Sequence, residues 1–175
     1  GESTIKNALL SEDTLIMISC LGEIGIDVGS VPEDNALVVK GCEGAIPVER
    51  VRLFAGNAGT VVRFMTAILT LGKGQYEIDG IERMRKRPIQ QLIDALNRLG
   101  ADVVSKEGTG CPPVLINANG LMGGRVEIPG NVSSQYISAI LLAAPYAASD
   151  VSIVVIDDLV SKNYVDMTID VMSKF

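Results

Sequence analysis

Four stretches of this 175-residue chain carry side chains suited to holding an anion. The first, Asn57-Ala-Gly-Thr60, is a turn of small residues running into an apolar segment, Val61 to Leu71, with the pattern of a buried helix. Small residues let backbone N–H groups come close to a ligand, and the positive end of the following helix points at the same place. It is neither a nucleotide P-loop nor a dinucleotide fingerprint, because the Gly-Lys-Ser/Thr ending and the Gly-x-Gly-x-x-Gly spacing are both missing. The second, Arg83-Met-Arg-Lys-Arg87, ends on an arginine whose planar fork matches a carboxylate or phosphate. The third, Ser133-Ser-Gln135, puts two hydroxyls and an amide at a helix start, where side chains and free backbone N–H groups can hold phosphate oxygens together. The fourth runs from Ser161 to Tyr164. Each also has a plainer reading: strand-to-helix punctuation, a solvated charge run, a serine N-cap, a turn former beside a packing tyrosine. They act together only if the fold turns all four to one end.

Composition narrows the chemistry. A net charge of −6 argues against a broad nucleic-acid or membrane-surface footprint, while a local basic pocket for a small anion stays open. With no histidine, and with Cys20, Cys42 and Cys111 far apart, zinc sites and histidine-based triads fall away, and neither metal nor cofactor is expected. The odd cysteine count and the apolar setting of Cys20 suggest reduced thiols and a cytoplasmic protein. There is no signal-peptide pattern and no apolar run of membrane-spanning length. The 47% hydrophobic content and 18 glycines read as one globular domain, residues 1–175, with many turns and a real core.

The positioning elements follow from periodicity and punctuation. Thr4-Ile5 is a short strand, and Ser11 to Thr14 supplies an N-cap and first-turn acids for a helix from about Asp13 to Ile24, closed by Gly25. Ile26 to Val28 and Ala36 to Lys40 read as a hairpin around a turn from Gly29 to Asn35. A strand near Arg52 leads to the buried helix, Gln75 to Asp79 alternates as a strand, and Pro88 suits a helix first turn ahead of Ile89, Leu92, Ile93, Leu96 and Leu99. Ala101 to Val104 and Val114 to Ile116 form a second hairpin, followed by a strand at Arg125 to Ile128. A buried helix from Tyr136 to about Ala144 ends at Pro145, Val151 to Ile156 is a strand, and Tyr164 to Met172 is an amphipathic helix.

The chain repeats. Leu21-Gly-Glu-Ile-Gly-Ile-Asp-Val28 and Leu96-Asn-Arg-Leu-Gly-Ala-Asp-Val103 share a helix end, a glycine cap and an Asp-Val strand entry, and a third copy stops at Phe175 before its glycine. The repeating unit reads as β-α-β-β with a second, more buried helix between units. The third is expected to lack its final hairpin, and the structured pattern at Gly1 suggests a segment upstream.

Leu53-Phe-Ala-Gly-Asn-Ala-Gly-Thr60, Arg83-Met-Arg-Lys-Arg-Pro-Ile89, Val132-Ser-Ser-Gln-Tyr136 and Leu159-Val-Ser-Lys-Asn-Tyr-Val-Asp-Met-Thr168 occur in the order and approximate spacing of the 5-enolpyruvylshikimate-3-phosphate (EPSP) synthases. Over its whole length the chain resembles the N-terminal domain of that family. The resemblance implies an α/β (α+β) enolpyruvyl transferase-like fold of repeated β-α-β-α-β-β units, the third incomplete. It also implies carboxyvinyl transfer from phosphoenolpyruvate to the 5-hydroxyl of shikimate 3-phosphate, a step of aromatic amino-acid (chorismate) biosynthesis. By the residue match, Ser133, Ser134, Gln135, Ser161 and Tyr164 would hold shikimate 3-phosphate. Asn57, Gly59 and Arg87 would lie on the phosphoenolpyruvate side, where glyphosate sits in family members. The implied partners are the two substrates and a C-terminal domain of the same enzyme. That domain, and the family's Pro-Gly-Ser-Lys-Ser segment that would precede Gly1, are absent from the sequence, so no catalytic proton-transfer residue is assigned and the chain alone is expected to be inactive. Phe64 and Asn163 stand where many members have proline. Two other readings stay open: a UDP-N-acetylglucosamine enolpyruvyl transferase domain of like architecture, against which the Ser-Ser-Gln and Ser-Lys-Asn-Tyr stretches speak, and a non-catalytic interaction module.

Overall fold

In the computed structural model, which describes residues 1–31 and 35–175, the chain runs as nine strands and five helices in three successive groups. The first group is β1 (Glu2–Lys6), α1 (Glu12–Glu23), β2 (Asp27–Val31) and β3 (Ala36–Lys40), with an antiparallel sheet ordered β1-β3-β2. The second is β4 (Arg50–Phe54), α2 (Gly59–Leu69), β5 (Lys73–Asp79), α3 (Gln90–Arg98), β6 (Val103–Ser105) and β7 (Val114–Asn119), with a sheet ordered β4-β5-β7-β6. The third is β8 (Gly124–Pro129), α4 (Ser134–Ala143), β9 (Val151–Ile156) and α5 (Lys162–Met172), with β8 and β9 paired.

The middle group is one full β-α-β-α-β-β unit. The first group repeats its second half, since β1-β3-β2 is ordered like β5-β7-β6, and the third repeats its first half, since β8 and β9 run parallel as β4 and β5 do. The local signature of the repeat is a shared helix stop. Gly25 (φ 88°) and Gly100 (φ 91°) end α1 and α3 in the left-handed region. In both, the next residue donates back to the third helical residue from the end: Ile26 N–H to Leu21 O at 2.9 Å, Ala101 N–H to Leu96 O at 3.1 Å. Glycine is the residue that takes this conformation without a Cβ clash.

Several boundaries differ from the sequence reading. β2 extends to Val31, because Gly29 and Ser30 fit the antiparallel register opposite Val38 and Leu37; of the expected turn, residues 32–34 lie outside the described residues. α3 starts at Gln90, so Pro88 precedes the helix instead of occupying its first turn. The Ile89 N–H is bonded to Gly110 O at 2.9 Å, which holds that residue at the cap. The buried helices α2 and α4, and α5, each begin two residues earlier than their apolar pattern does, taking in Gly59, Ser134 and Lys162.

The centre of the molecule is α2 packed on α4. Eight of eleven residues of α2 and seven of ten of α4 are buried, the mark of a helix covered on nearly every side. Leu53, Ile78, Val126 and Ile128 of the parallel strands close over them. This arrangement decides where the site is. α2 and α4 are the crossovers of two parallel β-α-β turns, and in such turns the loops beyond the strands' carboxyl ends share one side. The four candidate stretches are the loops after β4, β5, β8 and β9.

Cys20 lies fully buried on α1, and burial, with the nearby Glu23 carboxylate, pushes its thiol up to about 11. Thiolate is the reactive form. At pH 8 the folded chain is therefore expected to react with a thiol reagent at half-buried Cys42 and Cys111 first, with Cys20 modified only on unfolding; a peptide map of the labelled protein reads this directly.

Candidate functional site

The loops enclose an open cleft of about 670 Å3. Its polar lining is Thr60, Arg63, Arg87, Ser133, Ser134, Gln135, Ser138, Ser161, Tyr164 and Thr168, with Phe64, Pro88, Val132, Tyr136, Val160 and Met167 between them. Among the described residues two arginines and no carboxylate line it, in a chain whose net charge is −6. Three helices start at its edge, and none has an acidic residue in its first turn. By contrast, α1, which starts elsewhere, opens on a Ser11–Thr14 capping box with Glu12 and Asp13. The first N–H groups of α2 have no side-chain cap at all, so its positive end stays uncompensated. Such a surface favours an anion.

Of the eight residues singled out from the sequence, six line this cleft: Arg87, Ser133, Ser134, Gln135, Ser161 and Tyr164. Asn57 and Gly59 do not. Gly59 lines a small recess next to it with Arg63 and Arg87, and the Asn57 side chain is exposed while its carbonyl accepts from Arg87 Nη1 at 3.4 Å. Gly59 has a reason to be glycine: a Cβ there would stand 2.5 Å from Arg87 Nη1 and 2.8 Å from Arg63 Nη1. Both guanidinium groups therefore rest against the bare start of α2.

The basic run divides. Arg85 is committed to the fold, gripping the buried Asp79 carboxylate through Nε at 3.0 Å and Nη2 at 2.6 Å, and Lys86 pairs with exposed Glu82. Arg87 alone of the run reaches the cleft. Asp79 is also bonded by the Gly80 N–H at 2.8 Å, so this carboxylate ties down the segment that carries Arg87.

Ser133 has both of its readings at once, as N-cap of α4 accepting from Gln135 N–H at 3.3 Å and as a cleft hydroxyl. Ser161 caps α5 differently. It sits in the left-handed region (φ 56°, ψ 38°) with no capping bond from its side chain, which leaves the hydroxyl exposed on the cleft. A non-glycine residue held there costs about 1 kcal/mol or more. Ser161→Gly is thus expected to raise the melting temperature slightly and to weaken binding of a phosphate-bearing ligand, a stability–affinity split that thermal melts with and without ligand would detect.

Gln135 and Thr60 belong to the stretches singled out from the sequence, but Arg63, Tyr136, Ser138 and Thr168, which help join the loops, do not figure there as site residues. Arg63 Nη1 donates to Gln135 Oε1 at 2.7 Å, and Gln135 Nε2 donates to Thr60 Oγ1 at 3.0 Å, binding α4 to α2. Tyr136 Oη donates to Pro88 O at 2.7 Å, and Thr168 Oγ1, which donates to Tyr164 O, lies 2.8 Å from Ser138 Oγ. An arginine inside the run Val61-Val-Arg-Phe-Met65 was the available signal, since a cation in a buried helix needs a partner. Among the described residues no group of His, Cys, Asp and Glu could hold a metal ion, and no helix is long and apolar enough to cross a membrane.

Comparison with known proteins agrees with this architecture. The family model described as EPSP synthase (3-phosphoshikimate 1-carboxyvinyltransferase) matches residues 1–175. The chloroplastic 3-phosphoshikimate 1-carboxyvinyltransferase of Solanum lycopersicum is 44% identical over 183 residues, covering 100% of this chain and 35% of the relative. That of Shewanella amazonensis is 44% identical over 176 residues, covering 100% of this chain and 41% of the relative. The 2.37 Å structure of EPSP synthase from Acinetobacter baumannii superposes with a TM-score of 0.80 at 25% identity, over 90% of this chain and 36% of that one. The chain thus spans 35 to 41% of the length of these curated relatives. With the family model matched along all 175 residues and the same fold in a solved member, the chain belongs to the EPSP synthase (3-phosphoshikimate 1-carboxyvinyltransferase) family.

Proposed function

We propose that this chain supplies one wall of the active site of a 3-phosphoshikimate 1-carboxyvinyltransferase, binding shikimate 3-phosphate through Ser133, Ser134, Gln135, Ser161 and Tyr164 and meeting phosphoenolpyruvate through Asn57, Gly59 and Arg87. The observation that carries the reading is the composition of the cleft: hydroxyls, an amide, two arginines and the uncapped starts of α2 and α5, with no carboxylate among the described residues. Both substrates are anionic, and only a surface free of acids takes them without like-charge repulsion. In the reaction the 5-hydroxyl oxygen of shikimate 3-phosphate bonds to C2 of phosphoenolpyruvate as C3 takes up a proton, and the C2–O bond then breaks as C3 gives a proton back, so that the net hydroxyl proton leaves with the released phosphate. The serine hydroxyls and the start of α4 hold the phosphate of shikimate 3-phosphate, and Arg87 takes the charge of the second substrate; no proton-transfer role is assigned to any of them. That task falls to the second domain of the enzyme, which closes the cleft and excludes water. Reduced thiols fit a cytoplasmic setting for the bacterial type of enzyme.

The test is an amide chemical-shift titration of this chain, first with shikimate 3-phosphate and then with phosphoenolpyruvate. Shifts are expected at Ser133 to Gln135 and Ser161 to Tyr164 with the first ligand and at Gly59 and Arg87 with the second. A well-dispersed spectrum unmoved at millimolar ligand would overturn the proposal that this wall binds by itself.

A further inference from the structure

The structure assigns a role to a residue outside the expected set: we propose that Arg63 is a buried, uncompensated charge at the cleft, beside the more open Arg87, and the positioning residue for Gln135, its counter-ion being the anionic ligand itself. This rests on the reading of the cleft as a site for phosphate-bearing substrates. The residue is 9% exposed, on a helix otherwise lined with Val61, Val62 and Met65. A guanidinium in such a place is costly unless paired. Yet Arg63 takes part in none of the ion pairs among the described residues. Its hydrogen bond to a protein acceptor is the one to Gln135, its buried Nε has no acceptor among the described residues, and the Tyr136 ring 5.5 Å from Cζ attracts the charge without neutralising it. Arg85 shows what a paired arginine looks like in this fold, with a carboxylate on two of its nitrogens. Arg63 instead keeps its charge for the cleft it lines.

The same contact fixes Gln135. Arginine has donors only, so the oxygen of the Gln135 amide must face Arg63, and the nitrogen then faces Thr60 Oγ1, as observed. Without Arg63 the amide could turn over, presenting a donor where it now presents an acceptor, beside Ser133 and Ser134 in the lining.

Gln135→Glu and Arg63→Met separate the claims. Gln135→Glu sets a carboxylate against the guanidinium in the same shape, and the Thr60 hydroxyl can turn to donate to its second oxygen. If Arg63 is uncompensated, the ligand-free variant melts higher than the wild type, by about 3 °C or more, and its affinity for shikimate 3-phosphate falls at least tenfold. An equal or lower melting temperature overturns the charge assignment. Arg63→Met is expected to lose affinity at least tenfold and to shift the Gln135 side-chain NH2 resonances, which a purely structural role at α2 would leave in place; wild-type affinity with unmoved resonances overturns the positioning role. Should Arg63→Met not fold, Gln135→Glu still decides the charge assignment, and the Gln135 side-chain resonances of Arg63→Gln decide the positioning role in the same way. A wild type that ignores shikimate 3-phosphate while Gln135→Glu melts higher supports the charge assignment and overturns the substrate reading.

Discussion

Gly59→Ala is expected to weaken phosphoenolpyruvate binding by about tenfold to a hundredfold while leaving the fold intact. The added methyl would meet Arg87 at Nη1 and Cζ, 2.5 and 2.7 Å away, and Arg63 at Nη1, 2.8 Å away. These are the ends of flexible side chains, so the helix can keep its place and the arginines must move. Alanine also suits the first turn of α2 better than glycine does, since the backbone there is ordinary helix. The cost therefore falls on the site. A charge-assisted hydrogen bond contributes about 1.5–3 kcal/mol, and each 1.4 kcal/mol is tenfold in affinity. Gly22→Ala is the control: nothing lies within 4 Å of a Cβ at that position on α1, so it should stabilise the chain by up to about 1 kcal/mol and leave binding unchanged. Titration of both variants with phosphoenolpyruvate, beside thermal melts, checks the pair. Equal affinity of Gly59→Ala and wild type would mean that neither guanidinium contacts this ligand.

How far the site can be read from the sequence depends on the distance over which its geometry is set. Helix stops at Gly25 and Gly100, the N-caps at Ser11 and Ser133, and the strands that alternate are local choices of backbone and side chain, and local patterns gave them away. The convergence of the loops after β4, β5, β8 and β9 was a condition in the sequence reading and not a result of it. It depends on the parallel pairings Arg50↔Gln75 and Gly124↔Val151, which no short pattern encodes. The basic run shows the limit most clearly. Arg85 and Arg87 are two residues apart and alike in sequence, but a short 3-10 turn at Met84–Lys86 sends one to Asp79 and the other to the cleft. Asp79 receives that arginine only because it ends β5 next to β4, opposite Phe54.

The Asp79–Arg85 pair is the other place where a single change should have a large effect, and removing both partners should cost less than the sum of removing each. The Asp79 side chain is 3% exposed, with Arg52 Nη2 a further 3.6 Å from Oδ2. Burial pushes its carboxyl up, but the hydrogen bonds from Arg85 and from the Gly80 N–H, with the charges of Arg85 and Arg52, bring it below the usual carboxylate range. A depressed carboxyl stabilises the fold at pH values above its unfolded pKa, near 4, and that contribution disappears as pH falls through the lower folded value. The wild type should therefore hold its melting temperature down to about pH 4 and lose it below. In Arg85→Met the burial that now loses the contest would dominate, the carboxyl would rise, and the acid transition should move to higher pH. Asp79→Ala leaves the buried Gly80 N–H without its acceptor, at about 1–3 kcal/mol, and frees Arg85 into solvent. The double variant leaves no carboxylate to bury alone, so its melting temperature should exceed that predicted by adding the single losses. Because this pair anchors the turn before Arg87, each variant should also weaken phosphoenolpyruvate binding. Additive melting temperatures and an unshifted acid transition would show instead that Arg52 alone suffices to hold the carboxylate.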